Sequence, residues 1–321
     1  MLYLGERELL ALGKPWERTI DAVEAAVRCL AAGDYAQPVK PYLRYRAKEN
    51  RIIAMPGFLG GAFEVAGIKW IASFPGNLER GLPRAHSVVI LNAADTGEPV
   101  AIVNTALLSV IRTASVSGLM LRHFDRARPL DGARVGIIGW GPIGRHHLEL
   151  CEQQLGARVA EYRLFDLRGV DCSGLDDTVR ARVRVVSSWQ EAYQDADVFI
   201  TCTVSSAPYV DRAPKAGSLQ LNVSLRDFTP SVYEHVRGGI VVDDWAEVCR
   251  EGTDIERFHL DCGLEERDVK TLADVVLDGW VATLDRDRPV MFNPMGMAVF
   301  DLAVASDCVA RARLAGCGTE L

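Results

Sequence analysis

The sequence contains no apolar run near the roughly 20 residues that a membrane-spanning helix requires, so it predicts no membrane partner. Positive charge is not in excess either. The 36 lysines and arginines stand against 43 aspartates and glutamates, which gives no electrostatic basis for nucleic acid as a partner. The N-terminal residues lack the basic and apolar segments of a secretory signal. Together these absences favour a cytoplasmic protein.

Metal-binding patterns are also missing. None of the eight cysteines forms a C-x-x-C pair, and neither they nor the six histidines have metal-ligand spacing, so no metal site is predicted. Several cysteines, among them Cys29, Cys151 and Cys202, lie inside apolar runs, where a free thiol behaves as a small hydrophobe. We therefore expect reduced cysteines that serve packing. Internal repeats and low-complexity segments are absent as well.

Two different patterns of structure follow one another along the 321 residues, enough for two domains with their own cores. The first 110 residues predict an amphipathic helix over 17–32 and then short strands joined by glycine, proline and asparagine, which is typical of an antiparallel sheet. A long helix is predicted over 109–124. From residue 134 onward, strands alternate with helices, which predicts a parallel sheet. The last helix, over 296–314, is expected to return to the first domain.

A glycine-rich turn is the most specific motif. An apolar strand over 134–138 runs into a G-x-G-x-x-G sequence, a helix follows, and a second strand ends on an acid. The residues of this candidate dinucleotide site are Gly139, Gly141, Pro142, Ile143, Gly144 and Asp166. In this motif the glycines allow a tight turn, backbone approach to a pyrophosphate and close helix–strand packing, while the helix N-terminus attracts the phosphates.

This motif sets the predicted fold class: α/β, with a Rossmann dinucleotide-binding domain over 126–294. That domain is inserted into an α+β domain formed by 1–125 and 295–321, which we expect to bind substrate and mediate dimerisation. The carboxylate of Asp166 favours NAD over NADP because it accepts hydrogen bonds from ribose hydroxyls and repels a 2′-phosphate, although Arg168 close by could weaken that preference. A turn or helix-cap aspartate is the alternative interpretation.

Ligands of open α/β sheets lie beyond the carboxyl ends of the strands, so residues at those ends are candidates for the nicotinamide side. Cys202, Thr203 and Val204 lie where the fourth strand, predicted over 198–203, ends, and a plain loop is nearly as good an interpretation. Asp227 follows the fifth strand and could act as a general base on an amine or a water, or simply cap a turn. Met295 and Gly296 precede the last helix and could close over the nicotinamide, or merely join a loop to a helix.

Cations interrupt apolar surroundings in the first domain. Arg44, Lys69 and Arg112 are the clearest, and Arg84 is weaker. Arginine matches carboxylates bidentately and a partly buried lysine has an adaptable pKa, so Lys69 is a candidate for catalysis as well as for binding. Together these residues suggest a small polyanionic substrate, whereas any one alone is more often a surface or ion-paired residue.

Several segments resemble the ornithine cyclodeaminase/μ-crystallin family. The resemblance is carried by 111–117, by the sequence around Lys69, by 201–203 and by the segment around Asp227. Four further segments, 37–44, 51–56, 241–245 and 293–298, are similar to the branch of that family that makes L-2,3-diaminopropionate for siderophores and peptide antibiotics.

The resemblance implies an NAD-dependent oxidative hydrolysis of N-[(2S)-2-amino-2-carboxyethyl]-L-glutamate to L-2,3-diaminopropionate, 2-oxoglutarate and NADH. It further implies that Arg44, Lys69 and Arg112 hold the substrate carboxylates, that Asp227 accepts the proton, and that the protein is a homodimer built through the sheet of its first domain. The chain departs from the family at 225–227, where Leu-Arg-Asp replaces the Gly-Gly-Asp of ornithine cyclodeaminases. Ornithine cyclodeaminase, ketimine reductase and alanine dehydrogenase activities stay open as alternatives, as does a non-catalytic NAD(H)-binding sensor.

Overall fold

The computed structural model describes residues 1–47 and 49–321, which divide into two compact units. The first unit comprises residues 1–115 and 296–321, and the second comprises residues 116–295. Each contains one sheet with helices, so the predicted mixed α/β class is confirmed. The division falls inside a long helix, ten residues before the predicted boundary at 125/126, because that helix belongs partly to each unit.

The strands, in chain order, are β1 (Leu2–Leu4), β2 (Tyr35–Ala36), β3 (Tyr42–Leu43), β4 (Arg51–Leu59), β5 (Val65–Ser73), β6 (Ala85–Ala93), β7 (Pro99–Asn104), β8 (Ala133–Ile138), β9 (Val159–Phe165), β10 (Val183–Val185), β11 (Val198–Thr201), β12 (Leu219–Asn222), β13 (Ile240–Val242), β14 (Lys270–Thr271), β15 (Val290–Asn293) and β16 (Thr319–Glu320). The α-helices are α1 (Glu6–Leu12), α2 (Trp16–Ala31), α3 (Ala106–Ala127), α4 (Pro142–Leu155), α5 (Asp177–Arg180), α6 (Trp189–Tyr193), α7 (Tyr233–Val236), α8 (Trp245–Val248), α9 (Asp254–Cys262), α10 (Leu272–Leu277) and α11 (Ala298–Leu314).

In the first unit the sheet has the strand order β16-β1-β7-β6-β5-β4-β2, with β3 also paired to β4. Strands β2 to β7 are antiparallel, as the sequence predicts, whereas β1 joins β7 in parallel and was not predicted. Helix α11 packs on β4, β5 and β6 and against α2. Its apolar residues are buried on nearly all sides, because the sheet and α2 cover it.

In the second unit every strand pairing is parallel, in the order β10-β9-β8-β11-β12-β15-β13-β14. Strands β8 to β12 thus have the 3-2-1-4-5 order of a Rossmann sheet. The carboxyl ends of β8, β9, β11 and β12 lie along one edge, since the strands are parallel. Strand β15 lies between β12 and β13, although it follows both in the chain; this insertion was not predicted, since it joins distant segments.

One helix start differs from the prediction in a way that affects the candidate site. Helix α3 begins at Ala106 rather than at residue 109, because the Thr105 hydroxyl accepts a hydrogen bond from the Leu107 backbone N–H at 3.1 Å. Arg112 therefore lies in the second turn of the helix rather than in the first, where the predicted start at residue 109 would place it. Across residues 1–47 and 49–321, no helix is both long and apolar enough to cross a bilayer.

Candidate functional site

The glycine-rich turn joins β8 to α4. Gly139 has a φ of 90°, a left-handed conformation that favours glycine, and a Cβ there would collide with the Cys202 carbonyl group. A Cβ on Gly144 would collide with the carbonyl oxygen of Gly139, so α4 approaches the turn as closely as backbone allows. Both positions therefore require glycine for reasons that the sequence pattern predicts.

The N-terminus of α4 is open in front of this turn. Gly141 is the N-cap, Pro142 is the first helical residue and Ile143 follows it; a Cβ on Gly141 would meet no atom within 4 Å. The first N–H groups of a helix have no partner inside the helix, and they carry the positive end of its dipole. The residues present therefore fit a pyrophosphate of a dinucleotide at this position.

Asp166 follows β9 and fixes the conformation of the turn. Its Oδ2 accepts a hydrogen bond from the Trp140 backbone N–H at 2.6 Å, and its Oδ1 accepts one from the Arg168 backbone N–H at 2.8 Å. The Trp140 indole N–H in turn donates to the Asp171 carbonyl oxygen at 2.8 Å. Each carboxylate oxygen has further acceptor capacity, so this role is compatible with the predicted role on a ribose.

The carboxylate of Asp227 is completely buried beyond the carboxyl ends of β11 and β12. It accepts hydrogen bonds from two hydroxyl groups, those of Thr203 on Oδ1 and Ser224 on Oδ2. The phenol of Tyr209 lies nearby: burial, and then the charge of Asp227, raise the pKa of Tyr209 above its ordinary value. The structure therefore surrounds this aspartate with hydroxyl groups, an arrangement that can hold or transfer a proton.

A second buried carboxylate holds the backbone that carries Asp227. Oδ2 of Asp254 accepts hydrogen bonds from the backbone N–H groups of Asp227 at 3.1 Å and Phe228 at 3.2 Å, and from the Asn222 side chain at 3.0 Å. Asn222 also donates to the Asn293 side chain at 2.8 Å. This network connects the end of β12, the end of β15 and the start of α9, so it fixes the turn before Asp227.

The departure from Gly-Gly-Asp at 225–227 has a structural counterpart. Leu225 adopts a φ of 63°, in the left-handed region that glycine favours, and its side chain is buried. The Arg226 guanidinium donates to the Glu251 carbonyl oxygen at 2.9 Å, so part of its hydrogen-bonding capacity is used by the backbone. The chain thus keeps a backbone conformation that glycine would adopt more easily. The burial of the Leu225 side chain stabilises this turn, as does a hydrogen bond from the Leu225 N–H to Oδ1 of Asn222 at 3.1 Å.

We expect Asp254→Asn to remove a pH-dependent loss of stability. Burial raises the pKa of Asp254 from 3.8 to about 6, so the folded protein holds this proton more tightly than the unfolded chain. Stability from this group therefore falls as pH rises from about 4 to 6, by up to ~3 kcal/mol. Asparagine can still accept the three hydrogen bonds that Oδ2 accepts, although it loses the ion pair of Oδ1 with Arg257 at 3.3 Å at every pH. Urea unfolding between pH 4 and 7 should show the variant gaining stability relative to wild type over this range.

The control for this measurement is Asp176→Asn, which removes an exposed carboxylate in the same unit. The control should follow the wild-type pH dependence. Equal pH dependence of Asp254→Asn and wild type would show that Asp254 is not protonated preferentially in the folded protein.

In the first unit, Lys69 on β5 and Arg112 on α3 both pair with Asp301 of α11. The Lys69 ammonium lies 2.9 Å and the Arg112 Nε 3.0 Å from the same carboxylate oxygen, Oδ1. The Lys69 ammonium also donates to the Ser109 hydroxyl at 2.7 Å. Burial lowers the pKa of Lys69 to about 8, while the charge of Asp301 opposes this effect. The structure thus brings together two of the predicted cations.

The other predicted residues have different surroundings. Arg44 is exposed, with its guanidinium 4.8 Å from the centroid of the Tyr42 ring, and Arg84 is half-buried next to the strand β6. The Met295 backbone N–H donates to Asp243 Oδ1 at 3.0 Å, within the second unit. Gly296 accepts a hydrogen bond from the buried Lys40 ammonium at 2.6 Å, within the first unit.

The loop after β11 contains three predicted cofactor residues with unequal exposure. Val204 is 63% exposed, whereas Cys202 and Thr203 are half-buried. The Cys202 sulfur lies 4.0 Å from Nδ1 of His147, a buried histidine whose Nε2 contacts the Ser117 hydroxyl at 2.9 Å.

All eight cysteines are free. No group of side chains within the described part of the chain has the composition of a metal site.

Asp301 and Asp254 were missed from the sequence. A signal existed for Asp301, because it is the one charged residue within the apolar run over 295–306, and carboxylates are rarely buried unless paired. No such signal marks Asp254, because an aspartate in the first turn of a short amphipathic helix is common and is usually exposed.

The chain is similar over most of its length to one protein family and to two amino-acid dehydrogenases. The model of the ornithine cyclodeaminase/mu-crystallin family matches residues 14–314. The N-((2S)-2-amino-2-carboxyethyl)-L-glutamate dehydrogenase of Staphylococcus aureus is 31% identical over 334 residues, covering 100% of this chain and 98% of that protein. An alanine dehydrogenase of Archaeoglobus fulgidus is 28% identical over 296 residues, covering 90% of this chain and 88% of that protein.

A solved structure shares the whole fold. The Delta(1)-pyrroline-2-carboxylate reductase of Thermococcus litoralis, solved in complex with NADH and L-proline, has a TM-score of 0.88 at 22% identity, and the match covers 100% of both chains. At this identity the similarity concerns the fold alone.

Proposed function

Because the chain belongs to the ornithine cyclodeaminase/mu-crystallin family, we propose that it catalyses the NAD-dependent oxidative hydrolysis of N-[(2S)-2-amino-2-carboxyethyl]-L-glutamate. The observation that carries this proposal is the 31% identity, over the entire chain, to a dehydrogenase named for this substrate. The protein is an NAD-dependent oxidoreductase that acts on an amino-acid-like substrate, and the diaminopropionate product is the finer part of the proposal.

The reaction balances without any further reagent. The substrate, NAD⁺ and water yield L-2,3-diaminopropionate, 2-oxoglutarate, NADH and a proton. NAD supplies the hydride acceptor, and the glutamate Cα–H bond is the one that breaks. Water then adds to the C=N bond that results, and the C–N bond of the hemiaminal breaks to give the keto acid and the amine.

The chain's own residues have distinct roles in this proposal. Gly139, Gly141, Gly144 and the N-terminus of α4 bind the pyrophosphate, and Asp166 holds the turn and the ribose side. Asp227 accepts the proton from the secondary amine or from water, since its carboxylate is buried among hydroxyl donors that can share that proton.

The cations of the first unit bind carboxylates. The substrate carries three carboxylates, and Arg112 offers a guanidinium that can match one of them bidentately. Lys69 adds positive charge beside it, and Arg44 and Arg84 are the further candidates for the remaining carboxylates. A monocarboxylic substrate such as alanine would use fewer of these cations, which favours the conjugate over the alanine dehydrogenase alternative.

The assay that tests the function uses purified protein, NAD and the synthetic conjugate. We expect NADH absorbance to rise together with equal amounts of L-2,3-diaminopropionate and 2-oxoglutarate. Ornithine converted to proline without net NADH would favour a cyclodeaminase, and NADH consumed with pyruvate and ammonia would favour an alanine dehydrogenase. If the conjugate yields no NADH, no L-2,3-diaminopropionate and no 2-oxoglutarate, the proposal is overturned.

A homodimer is the proposed assembly, built through the sheet of the first unit. The side of β5 opposite Lys69 carries Ile68 and Trp70, and Trp70 is 40% exposed. In the register of the sheet these residues lie beside Ile90 and Val88 of β6, so an apolar surface faces outward. Light scattering should give twice the 35.2 kDa of one chain; a monomeric mass would contradict this assembly.

A further inference from the structure

The cation cluster of the first unit contains a carboxylate that no prediction assigned. Lys69 and Arg112 share a single oxygen of Asp301, and Lys40 lies close enough for its charge to lower the pKa of Lys69 further. Lys69 and Arg112 carry two positive charges against the single negative charge of Asp301, so this group of three has one positive charge in excess. A buried cluster with surplus positive charge favours an anionic ligand, here a carboxylate.

We propose that Asp301 is a positioning residue for carboxylate recognition: it holds Arg112 through Nε, so that the Nη edge of the guanidinium is kept for a carboxylate of the ligand. The inference deepens the proposed function and rests on it only for the identity of the substrate. The ligand class, a carboxylic acid, follows from the cluster itself.

The guanidinium of Arg112 is held in one orientation. Its Nε donates to Asp301 at 3.0 Å, and among the described residues no acceptor lies within hydrogen-bond range of its Nη atoms. Gly296 leaves room for that end of the side chain, because a Cβ on Gly296 would lie only 2.7 Å from Nη1. Since Arg112 is 7% exposed, the Nη edge keeps a narrow access for a ligand.

Lys69 differs from Arg112 in this respect. Its ammonium is 1% exposed and already donates to Ser109 and Asp301. Lys69 therefore contributes charge and holds Asp301, while Arg112 is the residue with unused donors. Of these two predicted carboxylate-binding cations, Arg112 thus binds the ligand and Lys69 supports it.

The state of Asp301 itself argues for a role beyond stability. Its carboxylate is fully buried, and Oδ2 has no hydrogen-bond partner among the described residues. A buried ion pair stabilises a fold well only when the remaining lone pairs are satisfied, so this arrangement is a poor one for stability alone. The first turn of α11 supports the charge through the helix dipole.

The test is a double-mutant cycle with Asp301→Asn and Arg112→Lys, read by calorimetric titration with glutarate in the presence of NAD. We expect Asp301→Asn to raise the Kd for glutarate at least tenfold. Arg112→Lys should do the same, because lysine lacks the bidentate edge. In the double variant, Asp301→Asn should add less than twofold, since it acts through Arg112. With the conjugate, KM should rise while kcat stays within about threefold.

Asp307→Asn is the matched control, since Asp307 lies on the same helix and pairs with Arg311 at 2.9 Å; its Kd for glutarate should equal that of wild type. The thermal midpoint and the Kd for NAD report folding of each variant. Should Asp301→Asn fail to fold, Asp301→Glu replaces it in the cycle, because it keeps the charge that balances the buried cations while displacing the carboxylate.

Additive effects of the two substitutions would overturn the proposal, as would an unchanged Kd in Asp301→Asn or absence of glutarate binding to wild type. Because glutarate binding needs no turnover, the cycle stands apart from the proposed reaction. If the two substitutions weaken glutarate binding non-additively but wild type does not oxidise the conjugate, the positioning role of Asp301 is supported and the proposed substrate is rejected.

Discussion

Asp227→Asn should lower kcat by about 10²–10⁴-fold, the contribution typical of a positioned general base. Asparagine fills the same volume, and it can accept from one of the Thr203 and Ser224 hydroxyls through Oδ1 and donate to the other through Nδ2. It cannot take up the proton that leaves the amine or the water. The Kd for NAD should stay within a few-fold, since the glycine-rich turn is unchanged. Steady-state NADH formation and a fluorescence titration with NADH measure the two quantities.

Asp176→Asn, an exposed aspartate of the same unit, is the control and should keep wild-type turnover. Turnover of Asp227→Asn within tenfold of wild type would assign the proton transfer to another group. A wild-type protein that binds NADH but turns over neither the conjugate, ornithine nor pyruvate with ammonia would instead support the sensor alternative. The variant thereby separates an enzyme from a binding protein.

Gly144→Ala should weaken NAD binding strongly and destabilise the fold. The new methyl group collides with the Gly139 carbonyl oxygen, so α4 must move away from the turn. We expect a Kd for NAD at least 100-fold higher and a loss of roughly 1–3 kcal/mol in the free energy of unfolding, as for other overpacked sites. Thermal melts and NADH fluorescence measure the two effects.

Gly141→Ala separates binding from folding at the same turn. Gly141 has a φ of −80°, which alanine adopts readily, and its Cβ would lie in open space. Its stability should therefore equal that of wild type, while its Kd for NAD should rise at least tenfold, because the methyl group occupies the space through which the pyrophosphate approaches the backbone. Gly76→Ala, also in open space, is the control for NAD affinity. Unchanged affinity in Gly141→Ala would move the pyrophosphate elsewhere.

Much of the nucleotide site could be predicted because its determinants are local. The strand before Gly139, the spacing to Gly144 and the acid at 166 lie within about thirty residues, and each has its own steric or electrostatic reason. The same holds for the antiparallel strands β4 to β7, which successive turns connect. The additional task of Asp166, holding Trp140, was not predicted, since it depends on how the turn folds back on β9.

The cations illustrate the opposite case. Lys69, Arg112 and Asp301 can each be noticed as charges in apolar surroundings, but Lys69 and Asp301 are 232 residues apart in the chain. Nothing local indicates that α11 packs on β5 and thereby brings them within hydrogen-bond distance. The proposed division between a binding arginine and a supporting lysine depends on that contact.

The amino-acid sequence by itself determined the family, the α/β class and the turn that fits a dinucleotide. These depend on short-range periodicity and on glycines at positions where a Cβ would collide with the backbone. Only the tertiary structure decided which carboxylates are buried with which partners: Asp301 with two cations, and Asp254 with the backbone of Asp227. The physical reason is that a buried charge is stable only when its partners surround it, and those partners come from segments that meet after the chain has folded.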